Sequence, residues 1–170
     1  MLIPFRAALL LSQPPESKIS MPLARVHVRQ IGDTWQAPRP EQREHEGQDL
    51  FAPRDTPVYS ATRGLVIRIG AAGLGGNAVS VLGAGGRVYY YAHLSRFGAI
   101  RIGDEVTPAS ILGYVGTTGN AQGLPPHLHF GVYGRNGAIN PLPLLVDRPV
   151  GSDTGMVTSR SNTTEGKRLP

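Results

Sequence analysis

Leu124-Pro-Pro-His-Leu-His-Phe-Gly-Val-Tyr133 is the stretch that decides how the rest of the chain is read. In an extended strand, residues two apart point to the same face. His127, His129 and Tyr133 then share one side, and Leu128, Phe130 and Val132 share the other. The second set has the character of a core face. The first sets two imidazoles side by side, which is poor packing and useful chemistry: one can bind a metal while the other moves a proton.

The sequence on either side of this strand points to more strands. Leu65-Val-Ile-Arg-Ile69 reads as a strand opened by Gly64. Ala78-Val-Ser-Val-Leu82 and Arg87-Val-Tyr-Tyr-Tyr-Ala-His-Leu94 flank Gly83-Ala-Gly-Gly86, a strong hairpin pattern. Ile111-Leu-Gly-Tyr-Val115 is a further short strand. No window has sustained helical periodicity with caps. The fold class is mostly β, an antiparallel β-sheet domain. The 22 Gly and 15 Pro, spread through apolar stretches, fit many short strands and turns.

A chain of 170 residues is long enough for one domain with a proper core and short tails. Three regions are expected. Residues 1–22 form an N-terminal segment and linker. Its apolar run Ala7-Ala-Leu-Leu-Leu11 is too short to cross a bilayer and resembles the remnant of an export signal. Residues 23–149 form the globular domain. Residues 150–170 turn to Gly, Ser, Thr and Asn, a composition that favours a disordered tail.

There is no Cys, which excludes disulfides and thiolate chemistry. Any metal site must therefore use His and carboxylates. The net charge of +5 and pI near 10.0 suit an anionic partner such as cell wall. Basic runs interleaved with aromatics are missing, so nucleic acid is not an expected partner.

The five histidines are His27, His45, His93, His127 and His129. His27, isolated, reads as a surface or hydrogen-bonded residue. His45 opens His45-Glu-Gly-Gln-Asp49, which is not the helical motif with His at both ends. Its fifth residue is Asp, and Gly47, Pro40 and Pro53 oppose a helix. A loop running into a strand suits it better, with His45 and Asp49 meeting at one point. His45, Asp49 and His129 would make a set of two imidazoles and one carboxylate. Three protein ligands leave the fourth position of tetrahedral zinc for water, the catalytic arrangement. His93 and His127 remain as candidate acid/base or oxyanion-stabilising groups. Glu46, beside a candidate ligand in an extended loop, reads as solvated surface.

Six stretches resemble the lysostaphin-type (LytM-domain) zinc metalloendopeptidases, in that family's order and over about residues 23 to 146. They are Asp33-Thr-Trp-Gln-Ala-Pro-Arg39, His45-Glu-Gly-Gln-Asp-Leu-Phe-Ala-Pro-Arg-Asp-Thr-Pro-Val58, Tyr91-Ala-His-Leu94, Gly103-Asp-Glu-Val106, Gly116-Thr-Thr-Gly-Asn-Ala121 and Pro126-His-Leu-His-Phe130. The resemblance implies an antiparallel β fold with an open groove between loops, similar to the lipoyl-like barrel-sandwich architecture. It implies zinc held by His45, Asp49 and His129, with His93 and His127 assisting catalysis. It implies a peptidoglycan peptide substrate, met in the periplasm, cell envelope or outside the cell, and a chain acting as a monomer without a stable membrane span. Where the family usually has Gly, this chain has Gln36, Asp55 and Ala109, and where the family is apolar it has Gln48. Those departures put local loop geometry in question if the glycines serve positive φ.

Two other functions compete. A catalytically inactive relative would bind wall or activate another hydrolase, but such relatives typically lack a ligand and all five positions are filled here. A lipoyl-like carrier, prompted by Gly103-Asp-Glu-Val106, needs an exposed Lys at a hairpin tip, and residues 23 to 146 contain no Lys.

Overall fold

The computed structural model describes residues 2–149; the tail expected to be disordered, 150–170, lies outside them. One helix, α1 (Leu2–Ser12), precedes fourteen strands among the described residues. These are β1 (Ile19–Ser20), β2 (Pro38–Arg39), β3 (Arg43–Glu44), β4 (Gln48–Phe51), β5 (Pro57–Tyr59), β6 (Gly64–Ala71), β7 (Asn77–Leu82), β8 (Val88–Ala92), β9 (Leu94–Phe97), β10 (Glu105–Val106), β11 (Ile111–Val115), β12 (His127–Gly134), β13 (Gly137–Ile139) and β14 (Leu145–Val146).

The fold is mostly β, with antiparallel sheets that do not close into a barrel. The main sheet runs β10-β6-β7-β8-β12-β13, and β4 also pairs with β12. β12 is its pivot. It pairs with β8 on one side and, on the other, with β4 through its first half and β13 through its second. A smaller sheet runs β5-β11-β9. The strand alternation expected for β12 holds: Leu128, Phe130 and Val132 are fully buried. They pack in one core with Leu50, Val79, Val81, Tyr89 and Tyr91 of the main sheet and Val58, Leu94, Leu112 and Val115 of the smaller one. Each such side chain contributes roughly 1.5–3 kcal/mol through burial. The Gly83–Gly86 hairpin joins β7 to β8 as expected, with Gly85 and Gly86 at φ 67 and 75.

Three expectations are corrected. The run Arg87–Leu94 is not one strand: β8 stops at Ala92 and β9 starts at Leu94 in the other sheet. His93 is the switch, at φ 63, a conformation that re-aims the chain and that histidine adopts uncommonly. The second concerns the helix, which forms over Leu2–Ser12 without a capped periodic signal in the sequence. α1 packs against the β7–β8 turn, where Leu11 meets Gly86 and Pro15 meets Gly85. Third, residues 13–22 are not a free linker throughout. β1 pairs in parallel with β14, and Ile19 and Met21 are core residues. Two alternating apolar residues between polar neighbours are enough to dock an edge strand, so packing begins before Leu23. Among the described residues, no helix is long and apolar enough to cross a membrane.

Because Met21 is completely buried, Met21→Ala should lower unfolding free energy by about 2–5 kcal/mol. Denaturant melts would measure this; an unchanged midpoint would return the segment to the status of a linker.

Candidate active site

β4 and β12 meet in a register that sets Asp49 directly opposite His129, and Phe51 opposite His127. Facing residues on one side of an antiparallel pair sit close enough to touch. Asp49 Oδ1 is 3.3 Å from His129 Nδ1. His45, on the bend entering β4, closes the triangle: its Nε2 lies 2.8 Å from His129 Nδ1 and 3.1 Å from Asp49 Oδ1. The ligand atoms of the three residues all lie within 4.8 Å of one another.

The rings are aimed by backbone carbonyls. His45 Nδ1 donates to the Thr34 carbonyl at 2.6 Å, His93 Nδ1 to Thr118 at 2.9 Å, and His127 Nδ1 to Pro125 at 2.9 Å. A carbonyl can only accept, so each bond puts a proton on Nδ1; in the neutral ring Nε2 is then the free base, and in a charged His45 ring Nε2 can donate to Asp49. His129 alone turns Nδ1 into the cluster. His93 and His127 pack edge to face, with ring centroids 5.0 Å apart, and His93 is 5.9 Å from the His129 ring. His127 Nε2 stands back from the triangle, 3.9 Å from Asp49 Oδ1. His27 is remote in role: half-exposed, it bonds Asp147 at 3.1 Å.

Local sequence explains the tight fit. A Cβ on Gly47 would stand 2.7 Å from the Phe130 carbonyl and 2.8 Å from His129 Cε1. Only glycine lets the loop pass beneath that ring. Gly119, at φ 68, lets the Thr118 loop nest against Gly75 and Gly76, and a side chain there would overlap the Leu74 carbonyl. Thr118 can then accept from His93, while the Gly75 carbonyl accepts the His93 amide at 2.8 Å.

The flagged departures resolve individually. Gln36 and Asp55 do sit at positive φ, 56 and 66, and Ala109 does not. Asp55 is further held by Arg96 and Ser95. Gln48 is completely buried and uses its whole amide. Its oxygen accepts from the Thr34 amide (2.9 Å) and hydroxyl (3.1 Å), and its nitrogen donates to Asp33 (2.6 Å) and Asn140 (3.2 Å). Thr34 in turn holds His45 through its carbonyl and the Asp49 amide through its hydroxyl, at 3.0 Å. A fully satisfied buried amide orients both side chains of the cluster.

Sequence reasoning missed Thr34, Thr118 and Gln48 as supports, and missed Arg39. Arg39 Nη2 donates to Asp49 Oδ2 at 2.6 Å. The one sequence signal for it was its place in the matched stretch Asp33–Arg39. Burial alone would raise the Asp49 carboxyl, but hydrogen bonds from His129 and His45, the His45 charge and Arg39 together hold it far below the usual carboxylate range. Burial pushes His129 down, and His93 down to about 4. Tyr133, lining the cleft as expected from its place on β12, is pushed up to about 12 by burial and by Glu46. Glu46 itself is exposed at the rim.

These groups line a cleft of about 700 Å³ whose other walls include Arg43, Leu74, Tyr90 and Leu124. The groove is open, two imidazoles and a carboxylate converge on one point in it, and two further imidazoles stand beside them; such a set can hold one metal ion with a position left for water. Residues 43–141 match Peptidase family M23, and the chain belongs to that family. It is 37% identical over 99 residues to an L-Ala--D-Glu endopeptidase of Bacillus subtilis, covering 55% of this chain and 30% of the relative. It is 34% identical over 134 residues to the DD-carboxypeptidase/endopeptidase Mpg of Neisseria meningitidis, covering 78% and 28%. The chain therefore spans under a third of the length of these two relatives. The catalytic domain of lysostaphin from Staphylococcus simulans superposes with a TM-score of 0.59 at 28% identity, over 68% of this chain and 92% of that domain.

Unfolded histidine titrates near 6.5. With His93 depressed to about 4, the native chain binds fewer protons than the unfolded chain between those values. Its stability contribution is complete above about 6.5 and is lost as pH falls toward 4, by up to about 3 kcal/mol. Melts of wild type and His93→Asn, a residue that tolerates the left-handed backbone, should converge as pH drops through this window. Parallel curves would remove His93 from the account.

Proposed function

We propose that this chain is a zinc-dependent endopeptidase that hydrolyses peptide bonds in the stem peptides or cross-links of peptidoglycan, acting outside the cytoplasm in the periplasm or cell envelope. The convergence of His45 Nε2, Asp49 Oδ1 and His129 Nδ1 at the floor of the cleft carries the reading. The donor set fits: two neutral nitrogens and one carboxylate oxygen, each ring fixed by a second hydrogen bond or a packed neighbour, is what a three-ligand zinc site requires. A zinc ion held there would supply Lewis acidity toward the scissile carbonyl and lower the pKa of a water.

The chain's own groups supply the remaining chemistry. Asp49 stays ionised because His129, His45 and Arg39 all stabilise its charge. His93 stays neutral at physiological pH because it is buried. With its Nδ1 proton committed to Thr118, its Nε2 can accept a proton. His127 is held the same way by Pro125. In hydrolysis, water adds to the carbonyl carbon, the C–N bond breaks, and one proton passes from the water to the leaving amine. His93 and His127 are placed to carry that proton or to steady the oxyanion. The activities named for the Bacillus and Neisseria relatives support the substrate class, and the net charge of +5 suits an anionic polymer.

Metal analysis should give about one zinc per chain, and Ala at His45, Asp49 or His129 should strip it. His127→Ala should keep zinc and fold yet lose two to four orders of magnitude in cleavage of purified sacculi, the usual range for a lost acid/base or oxyanion group. Full activity in His127→Ala would remove His127 from the mechanism; a zinc-loaded wild type that binds sacculi and cuts no bond would make the wall-binding scaffold the better reading; sugar chains cut with peptides intact would overturn the substrate class.

A further inference from the structure

The β2–β3 hairpin beside the cleft carries two features that each oppose its stability. Its connection runs through Pro40, Glu41 and Gln42, and both Glu41 (φ 64) and Gln42 (φ 56) occupy the left-handed region. For residues other than glycine each such position costs about 1 kcal/mol or more. Arg39 is also paired directly across from Arg43. The two guanidinium side chains therefore rise from one face, a like-charge pairing that weakens a hairpin. Strained backbone and unfavourable pairing persist where the surroundings enforce them, and they cluster at functional sites.

Arg39 is anchored: one end of its guanidinium is committed to Asp49, which ties this face of the hairpin to the candidate metal cluster. Arg43 lines the same cleft. Its ion-pair partner is Glu41, at 3.7 Å from Nε and with a side chain 84% exposed. That distance is beyond a hydrogen bond and the contact is worth little in water. Glu44, next along the strand, also lines the cleft, but by alternation it stands on the hairpin face opposite Arg39 and Arg43. Glu46 sits on the cleft near Tyr133. Elsewhere on the cleft the half-exposed Leu74 and Leu124 offer an apolar surface.

We propose that Arg39 and Arg43 form a carboxylate-binding subsite next to the scissile bond, so that the preferred substrate is a peptide with a free carboxylate flanking the bond that is cut. This rests on the proposed function and deepens it. A guanidinium fork matches a carboxylate in two parallel hydrogen bonds, which a point charge does not reproduce. Arg43 supplies the fork, and Arg39, held by Asp49, adds charge and fixes where the fork stands. The small apolar side chains of such a peptide fall to Leu74 and Leu124, which gives the bound chain a direction. In stem peptides the carboxylate has two sources: the side carboxylate of a glutamate linked through its other carboxyl, or the carboxylate at the peptide's C-terminus.

The test uses the zinc-loaded full chain carrying His127→Ala, so that peptide is bound and not cut. Calorimetry would compare a synthetic stem peptide with two versions, one amidated at the glutamate carboxylate and one amidated at the C-terminus. One of the two amidations should weaken binding about tenfold or more, and which one does so identifies the source. Adding Arg43→Gln should bring that amidated peptide and its parent to within twofold of each other, and Arg43→Lys should restore part of the gap. Equal affinity for all three peptides, a gap that survives Arg43→Gln, or no binding of any peptide would overturn the subsite. The enzyme reading is judged separately, on cleavage by the wild type: cutting that is indifferent to both amidations would leave the endopeptidase standing and remove the subsite.

Discussion

The register of β4 on β12 is the constraint on which the site depends. Side chains alternate along a strand, so a slip of one residue would turn Asp49 away from the cleft and Leu50 into it. The register is pinned from the other face. Leu50, Leu128 and Phe130 are fully buried and would be expelled by the same slip. Core packing therefore chooses which histidine meets the carboxylate. Asp49 faces His129, and His127 faces Phe51, whose ring lies 5.3 Å away. Two imidazoles two residues apart on one strand thus receive different neighbours from a single pairing.

Around that pairing three of the four rings, those of His45, His93 and His127, are held by main-chain carbonyls, while His129 is held by the side chains of His45 and Asp49. Thr34, Thr118 and Pro125 each take one Nδ1 proton. A carbonyl carries no net charge and does not titrate, so it sets the tautomer without adding another ionisable group to a buried cluster. The loops that carry these carbonyls are held by less usual means: the buried amide of Gln48 behind Thr34, and the glycine contacts around Gly119 behind Thr118. His93 adds a left-handed backbone to its burial. The site accepts these local costs because the two sheets and their shared core supply stability elsewhere.

The parts of this arrangement legible in the sequence were those with local periodicity. The alternation of Leu128, Phe130 and Val132 announced β12 and its core face, and Gly83–Gly86 announced the hairpin. The five residues singled out for chemistry, His45, Asp49, His93, His127 and His129, do converge on one cleft. What stayed hidden was non-local or conformational. No pattern in Tyr89-Tyr-Tyr-Ala-His-Leu94 signals that the chain changes sheets at His93, because only φ changes there. Gln48 reads as polar and therefore exposed until its four partners, contributed by residues 33, 34 and 140, are brought together. Ile19 and Met21 lie in a polar, proline-flanked stretch, and their burial depends on β14, more than a hundred residues away. Arg39 and Arg43 become a pair only once the turn between them is known.

The most direct measurement of the central claim is anomalous diffraction at the zinc edge from crystals of the zinc-loaded chain. The account predicts one strong peak about 2.0–2.2 Å from His45 Nε2, Asp49 Oδ1 and His129 Nδ1, with His93 and His127 outside bonding distance. A peak bonded to His127 in place of His129, or located away from the β4–β12 pairing, would contradict it.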